Sequence, residues 1–157
     1  MTRIGLIRHG KTHWNLTGLV QGSTDIPLSD YGVKEVSEWS LPRDFDNYNW
    51  IASPLKRAYQ TAQILAGFKP RLDSRAVEMA WGDWEGRSLV DLRSELGDLM
   101  VAWEANGLDF RGPNGESPRE VQNRMQPLLK EIAQEGKPTI IVTHKGVIRA
   151  LYALSVG

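Results

Sequence analysis

Apolar residues along this chain fall into short runs separated by stretches with helical spacing. Ile4, Leu6 and Ile7 form the first run, Asn49 to Ala52 the second, and Pro70 to Asp73 a shorter third. Thr139-Ile140-Ile141-Val142 is the clearest strand, β-branched throughout. Helix signals lie between these runs. Ser29 is placed as an N-cap for a short helix carrying Tyr31, Val36 and Trp39 and ending before Pro42. Ser53-Pro54 predicts a hydroxyl cap with proline at the first helical position, followed by Leu55, Ala58, Ala62 and Leu65 and stopped by Gly67. Ser88 with Asp91 approximates a capping box, and helical character continues from Leu96 to Trp103 with an interruption at Gly97. Ser117-Pro118-Arg119-Glu120 is a full capping box, and Val121, Met125, Leu128, Leu129 and Ile132 fit one buried helix face. Val147, Ile148, Leu151 and Leu154 begin a last helix. Lys11 to Leu28, punctuated by Gly18, Gly22 and Pro27, reads as a long irregular connection, and Val77 to Gly86 shows no period. Strands alternating with helices predict an α/β sandwich with a mostly parallel sheet.

Length and composition narrow the function. A chain of 157 residues fits one domain and buries a substantial core. Nineteen basic residues balance nineteen acidic ones, so no overall field recruits nucleic acid or an anionic membrane. The absence of cysteine removes disulfides, thiolate catalysis and cysteine-zinc sites. Arg8 interrupts the first apolar run before a secretory signal could form, and no stretch approaches the ~20 apolar residues of a membrane span. A soluble cytoplasmic protein is expected.

Two strands end alike, in Ile7-Arg8-His9-Gly10 and in Val142-Thr143-His144-Lys145-Gly146. Neighbouring parallel strands bring their C-terminal ends together, where open α/β sheets bind ligands, so His9 and His144 are expected to face one another. His13 is read as an ordinary polar residue. Gly5, Gly10, Lys11 and Thr12 also fit G-x-x-x-x-G-K-[ST], the nucleotide-binding P-loop. The context speaks against it: the intervening Leu6-Ile7-Arg8-His9 continues a strand, and no helical period follows Thr12. Nor does the Thr139–Thr143 run end in an aspartate for magnesium.

Arg8-His9-Gly10 with Thr12, Trp14 and Asn15 resembles the signature of the histidine phosphatase superfamily, also called the phosphoglycerate-mutase-like family. Four further blocks resemble it in the same order. They are Gln21-Gly22 with Pro27-Leu28 and Gly32; Ser53-Pro54-Leu55 with Arg57-Ala58 and Gln60-Thr61-Ala62; Glu78-Met79 with Gly82 and Trp84-Glu85-Gly86; and Thr143-His144 with Gly146-Val147-Ile148-Arg149. Gly115-Glu116-Ser117 adds a weaker match.

The resemblance implies a three-layer α/β/α sandwich, phosphoglycerate-mutase-like, over a single domain spanning residues 1–157. It implies phosphomonoester hydrolysis through a phosphohistidine on a small phosphorylated metabolite. His9 would be the nucleophile, Arg8 and Arg57 the phosphate clamp, His144 a donor to the transferring phosphoryl group, and Glu78 the acid and then the base. Asp83 and Glu85 are the local rivals of Glu78. Asn15, Gln21 and Gly22 match substrate-contacting positions. Neither metal nor cofactor is implied, as in a metal-independent histidine acid phosphatase.

Two departures stand out. Relatives commonly carry glycine where this chain has Lys145, and they usually continue past the last helix, so the chain reads as shortened at its C-terminus or completed by a second copy in a homodimer. From Glu78 to Ser117 only the scattered Arg87, Arg93 and Arg111 are basic, which favours phosphatase over phosphoglycerate mutase-type transfer. A non-catalytic phosphate-binding module and a P-loop nucleotide binder are the readings from other classes.

Overall fold

The computed structural model describes residues 1–157. Its centre is a parallel sheet of β1 (Ile4–Arg8), β2 (Asn49–Ala52), β3 (Arg71–Leu72) and β4 (Thr139–Thr143), in the order β1-β4-β2-β3. Strand β4 lies between two neighbours and is buried throughout, which is why its sequence is apolar or β-branched without alternation. Around the sheet lie α1 (His13–Thr17), α2 (Asp30–Ser37), α3 (Lys56–Ala66), α4 (Leu89–Leu96), α5 (Asp98–Glu104), α6 (Pro118–Glu135) and α7 (Lys145–Ser155).

Alternation along the strands sorts the core into two layers. Ile140 and Val142 of β4 join Trp50 and Ala52 of β2 against Ala58 and Ala62 of α3. Ile141 and Ile51 point the other way, into a larger cluster with Val121, Met125 and Leu128 of α6 and with Val147 and Leu151 of α7. The three-layer α/β/α sandwich and the parallel sheet therefore stand as the sequence pattern implies.

Helix boundaries follow their caps. Ser29, Ser88 and Ser117 each accept a hydrogen bond from the backbone N–H three residues on. Glu120 completes a reciprocal box with Ser117. Gly67 and Gly136 close α3 and α6 in the left-handed conformation. At Gly97 the chain takes φ 49° and ψ −120°, which separates α4 from α5 rather than merely bending one helix.

Three local expectations are corrected. The 11–28 connection holds the five-residue helix α1, too short to show a period, with Thr12 and Asn15 forming a capping box. That removes one objection to the P-loop, but the other two stand: Gly5 to Arg8 is strand, not loop, and β4 ends in Thr143 with no aspartate after it. Ser53 does not cap α3: the helix begins at Lys56 after Leu55, and the serine hydroxyl is engaged elsewhere. In α2 Val36 is buried, whereas Tyr31 and Trp39 are exposed, Trp39 lying past the helix end at Ser37.

Candidate active site

Parallel pairing of β1 with β4 sets Arg8 opposite Thr143, and the His9 N–H continues the ladder to the Thr143 carbonyl at 3.1 Å. His9 and His144 thus leave the sheet at the same level, with ring centroids 5.2 Å apart and both side chains buried. The paired strand endings of the sequence do converge.

Hydrogen bonds fix the tautomer of each imidazole. His9 Nδ1 lies 2.5 Å from the Gly10 carbonyl oxygen, which can only accept, so Nδ1 carries the proton and Nε2 keeps its lone pair. Gly10 is held in turn, its N–H donating to Thr61 Oγ1 at 3.0 Å while the Thr61 hydroxyl donates to the Arg57 carbonyl. His144 Nε2 lies 2.8 Å from Ser53 Oγ, which also accepts the Leu55 N–H. The serine hydroxyl proton has no other acceptor, so it is donated to Nε2 and the His144 proton sits on Nδ1. That Nδ1 is buried and has no partner in the protein.

Both rings are kept neutral. Burial lowers the His9 pKa to about 3, with the positive charges of Arg57 and Arg8 acting in the same direction against the Gly10 hydrogen bond. Burial, then the charge of Arg57, lowers His144 well below the usual range.

Arg57, in the first turn of α3, is fully buried. One terminal nitrogen donates to the Gly22 carbonyl and the other to the Thr24 carbonyl, each at 2.7 Å, while Nε is buried without a partner and each terminal nitrogen keeps a second N–H. Arg57 thus tethers the 22–24 loop and still has N–H groups to offer an anion. Glu85 pins the same loop, accepting from Ser23 Oγ and the Thr24 N–H. Gly22 sits at φ +52°, and a Cβ there would overlap the Glu85 carboxylate.

Glu78 accepts from its neighbour Met79 N–H at 2.9 Å and from Gly146 N–H of α7 at 3.3 Å. Burial raises its pKa above the ordinary glutamate value, a shift partly offset by these two bonds and by Arg57. The segment leading to it is strapped by Arg124 of α6, which donates to the Val77 carbonyl at 2.8 Å and to the Arg75 carbonyl, and which pairs with Glu116. Its rivals are otherwise engaged: Asp83 is exposed and bonded to Asn114, and Glu85 holds the loop.

Arg8, His9, Asn15, Gln21, Gly22 and Glu78 line a cavity of about 630 Å³. Asn15 Oδ1 accepts from the Thr12 N–H at 3.0 Å and the Gln21 side-chain oxygen from the single Thr12 hydroxyl proton, leaving each amide NH2 group unbonded within the protein. Thr12, Ser53 and Thr61 are positioning residues that sequence reading passed over. All three lie inside the motif blocks, and a hydroxyl in such a block was the available signal.

Residues 4–157 match the histidine phosphatase superfamily (branch 1). Phosphoserine phosphatase 1 of Hydrogenobacter thermophilus is 29% identical over 165 residues, covering 100% of this chain and 77% of that protein. An uncharacterized phosphatase of Bacillus subtilis is 34% identical over 160 residues, covering 96% and 76%. Among solved structures, a mycobacterial glucosyl-3-phosphoglycerate phosphatase in complex with VO3 superposes with a TM-score of 0.86 at 29% identity, over 98% of this chain and 81% of that one. A match along nearly all its length, the shared fold and the five motif blocks in order agree: this chain belongs to the histidine phosphatase superfamily, branch 1.

Proposed function

We propose that this phosphatase hydrolyses small phosphomonoesters through a phosphohistidine on His9, without a metal ion. The observation that carries the reading is a matched set around one imidazole. His9 presents an unprotonated Nε2, and the two buried side-chain donors without a partner, Arg57 Nε and His144 Nδ1, belong to its immediate surroundings. Buried N–H groups are seldom left unbonded, and phosphoryl oxygens would satisfy both.

In the first step Nε2 attacks phosphorus while the P–O bond to the alcohol breaks. Arg8, the Arg57 and His144 N–H groups and the amides of Asn15 and Gln21 take the charge spread over the equatorial oxygens. Glu78, whose carboxyl pKa is raised by burial, gives a proton to the leaving oxygen. In the second step the carboxylate so formed takes a proton from water as water attacks the phosphohistidine, which releases inorganic phosphate and restores both groups. Two arginines beside neutral imidazoles supply the positive charge that a metal supplies elsewhere. The arginines of the 86–115 region are each neutralised by a carboxylate: Arg87 by Glu95, Arg93 by Glu104 and Arg111 by Glu120. This favours hydrolysis over mutase-type transfer, for which free basic residues after the catalytic glutamate are expected.

Hydrolysis of 4-nitrophenyl phosphate is expected to continue undiminished in excess EDTA and to gain nothing from magnesium. Activity that needs magnesium would return the P-loop reading, and absence of turnover would favour a non-catalytic phosphate-binding module. Ser53→Ala is expected to lower kcat about 10-fold with less change in KM, since His144 loses the donor that fixes its tautomer. Ser53→Thr, which keeps the hydroxyl, should recover much of the loss. Equal loss in both variants would mean that Ser53 only packs.

A further inference from the structure

His9 and His144 follow directly on strand ends, where the sheet ladder fixes their backbone. Glu78 has no such support. Residues 77–80 belong to neither helix nor strand, so no ladder holds its carboxyl in place. Small displacements of a proton donor are costly to the rate it supports. Side chains from elsewhere in the chain supply the missing constraint.

The carbonyls before Glu78 are taken one after another. Arg124 of α6 donates to the Arg75 carbonyl and, at 2.8 Å, to the Val77 carbonyl. Between them, the Thr143 hydroxyl at the end of β4 donates to the Ala76 carbonyl at 2.7 Å. Beyond Glu78, Glu116 takes both backbone groups of Ala80. Its carboxylate accepts the Ala80 N–H at 3.2 Å, and its own N–H donates to the Ala80 carbonyl at 2.8 Å. Gly115 permits this approach, since a Cβ there would lie 2.8 Å from the Ala80 carbonyl oxygen. Arg124 and Glu116 are joined in turn, Nε to Oε1 at 2.7 Å and a terminal nitrogen to Oε2 at 3.0 Å.

None of these bonds goes to the Glu78 carboxyl, and neither Arg124 nor Glu116 lines the cavity. Both side chains are only about one-fifth exposed. An ion pair so covered gains little over apolar packing as a source of stability. What apolar side chains could not do is bind the chain on either side of one residue.

We propose that Arg124 and Glu116 are positioning residues for the general acid, gripping the backbone before and after Glu78 so that its carboxyl faces the leaving oxygen. The proposal rests on the reading of Glu78 as the acid of a phosphatase.

Two substrates in two backgrounds test it. Propyl phosphate needs a proton on its leaving oxygen, whereas 4-nitrophenyl phosphate does not. R124M is expected to lower kcat/KM for propyl phosphate by about 10–10²-fold, and for 4-nitrophenyl phosphate by no more than about 3-fold. In Glu78→Gln no acid is left to misplace. Added to that variant, R124M should lower the residual kcat/KM for propyl phosphate by no more than about 3-fold. R124K keeps the charge but not the planar fork, so it should show the same asymmetry at smaller size. It carries the comparison if R124M does not fold.

Equal losses on both substrates, or a loss that persists in full beside Glu78→Gln, would mean that Arg124 only supports the fold. Wild-type rates in R124K would make its role one of charge alone. Each of these overturns the positioning while the acid reading stands. If Glu78→Gln by itself leaves propyl phosphate hydrolysis unchanged, the acid reading fails and the positioning falls with it.

Discussion

Phosphate release from 4-nitrophenyl phosphate is expected to fall by about 10³-fold or more in His9→Ala, with no phosphoprotein trapped on rapid acid-free quenching. The size of the effect follows from the proposed chemistry. Without Nε2, water has to displace the alcohol directly, and the two-step route through a covalent intermediate is closed. His144→Ala should behave differently. Its Nε2 is occupied by Ser53, so it can only donate, and its removal should slow the reaction by about 10²-fold while a phosphoenzyme still forms. A trapped phosphoryl group in His9→Ala, or its disappearance only in His144→Ala, would exchange the roles of the two histidines.

Glu78→Gln is expected to lower kcat/KM for propyl phosphate by about 10²–10⁴-fold, and that for 4-nitrophenyl phosphate much less. An alkoxide leaves poorly without a proton, whereas 4-nitrophenolate leaves unaided, so the gap between the substrates measures proton donation. The pH profile should carry the same signature. His9, with its pKa lowered to about 3, is neutral through all ordinary conditions and sets only the extreme acid limb. Glu78, with its pKa raised, stays protonated above the usual glutamate range, and kcat/KM falls as pH rises through that value. The substrate phosphate titrates near pH 6 as well, so the informative quantity is the basic limb present in the wild type and absent in Glu78→Gln. Equal losses on both substrates with an unchanged profile would remove Glu78 from acid catalysis.

Legibility of this site in the sequence depended on distance. His9 and His144 could be paired because each ends a strand with a local apolar signature, and parallel neighbours align their ends. Ser53 was misread because a hydroxyl before proline is an equally good helix cap. What decides its role is an imidazole 91 residues away, just after β4, which no local pattern records. Arg57 showed the same limit. Its place at a helix start suggested a phosphate clamp, but nothing local showed that two of its nitrogens also answer carbonyls of a loop more than thirty residues upstream. Helix α1 escaped notice because five residues complete little more than one turn.

The insertion of β4 between β1 and β2 has a consequence for how the molecule is made. During translation β1 is made well before its partner in the sheet, which is not synthesised until residues 139–143. At roughly 5–20 residues per second the early strand waits about 7–27 seconds beside helices that cannot yet complete the sheet. The nascent chain therefore carries His9 without the neighbouring His144 until the late strand slots into the centre.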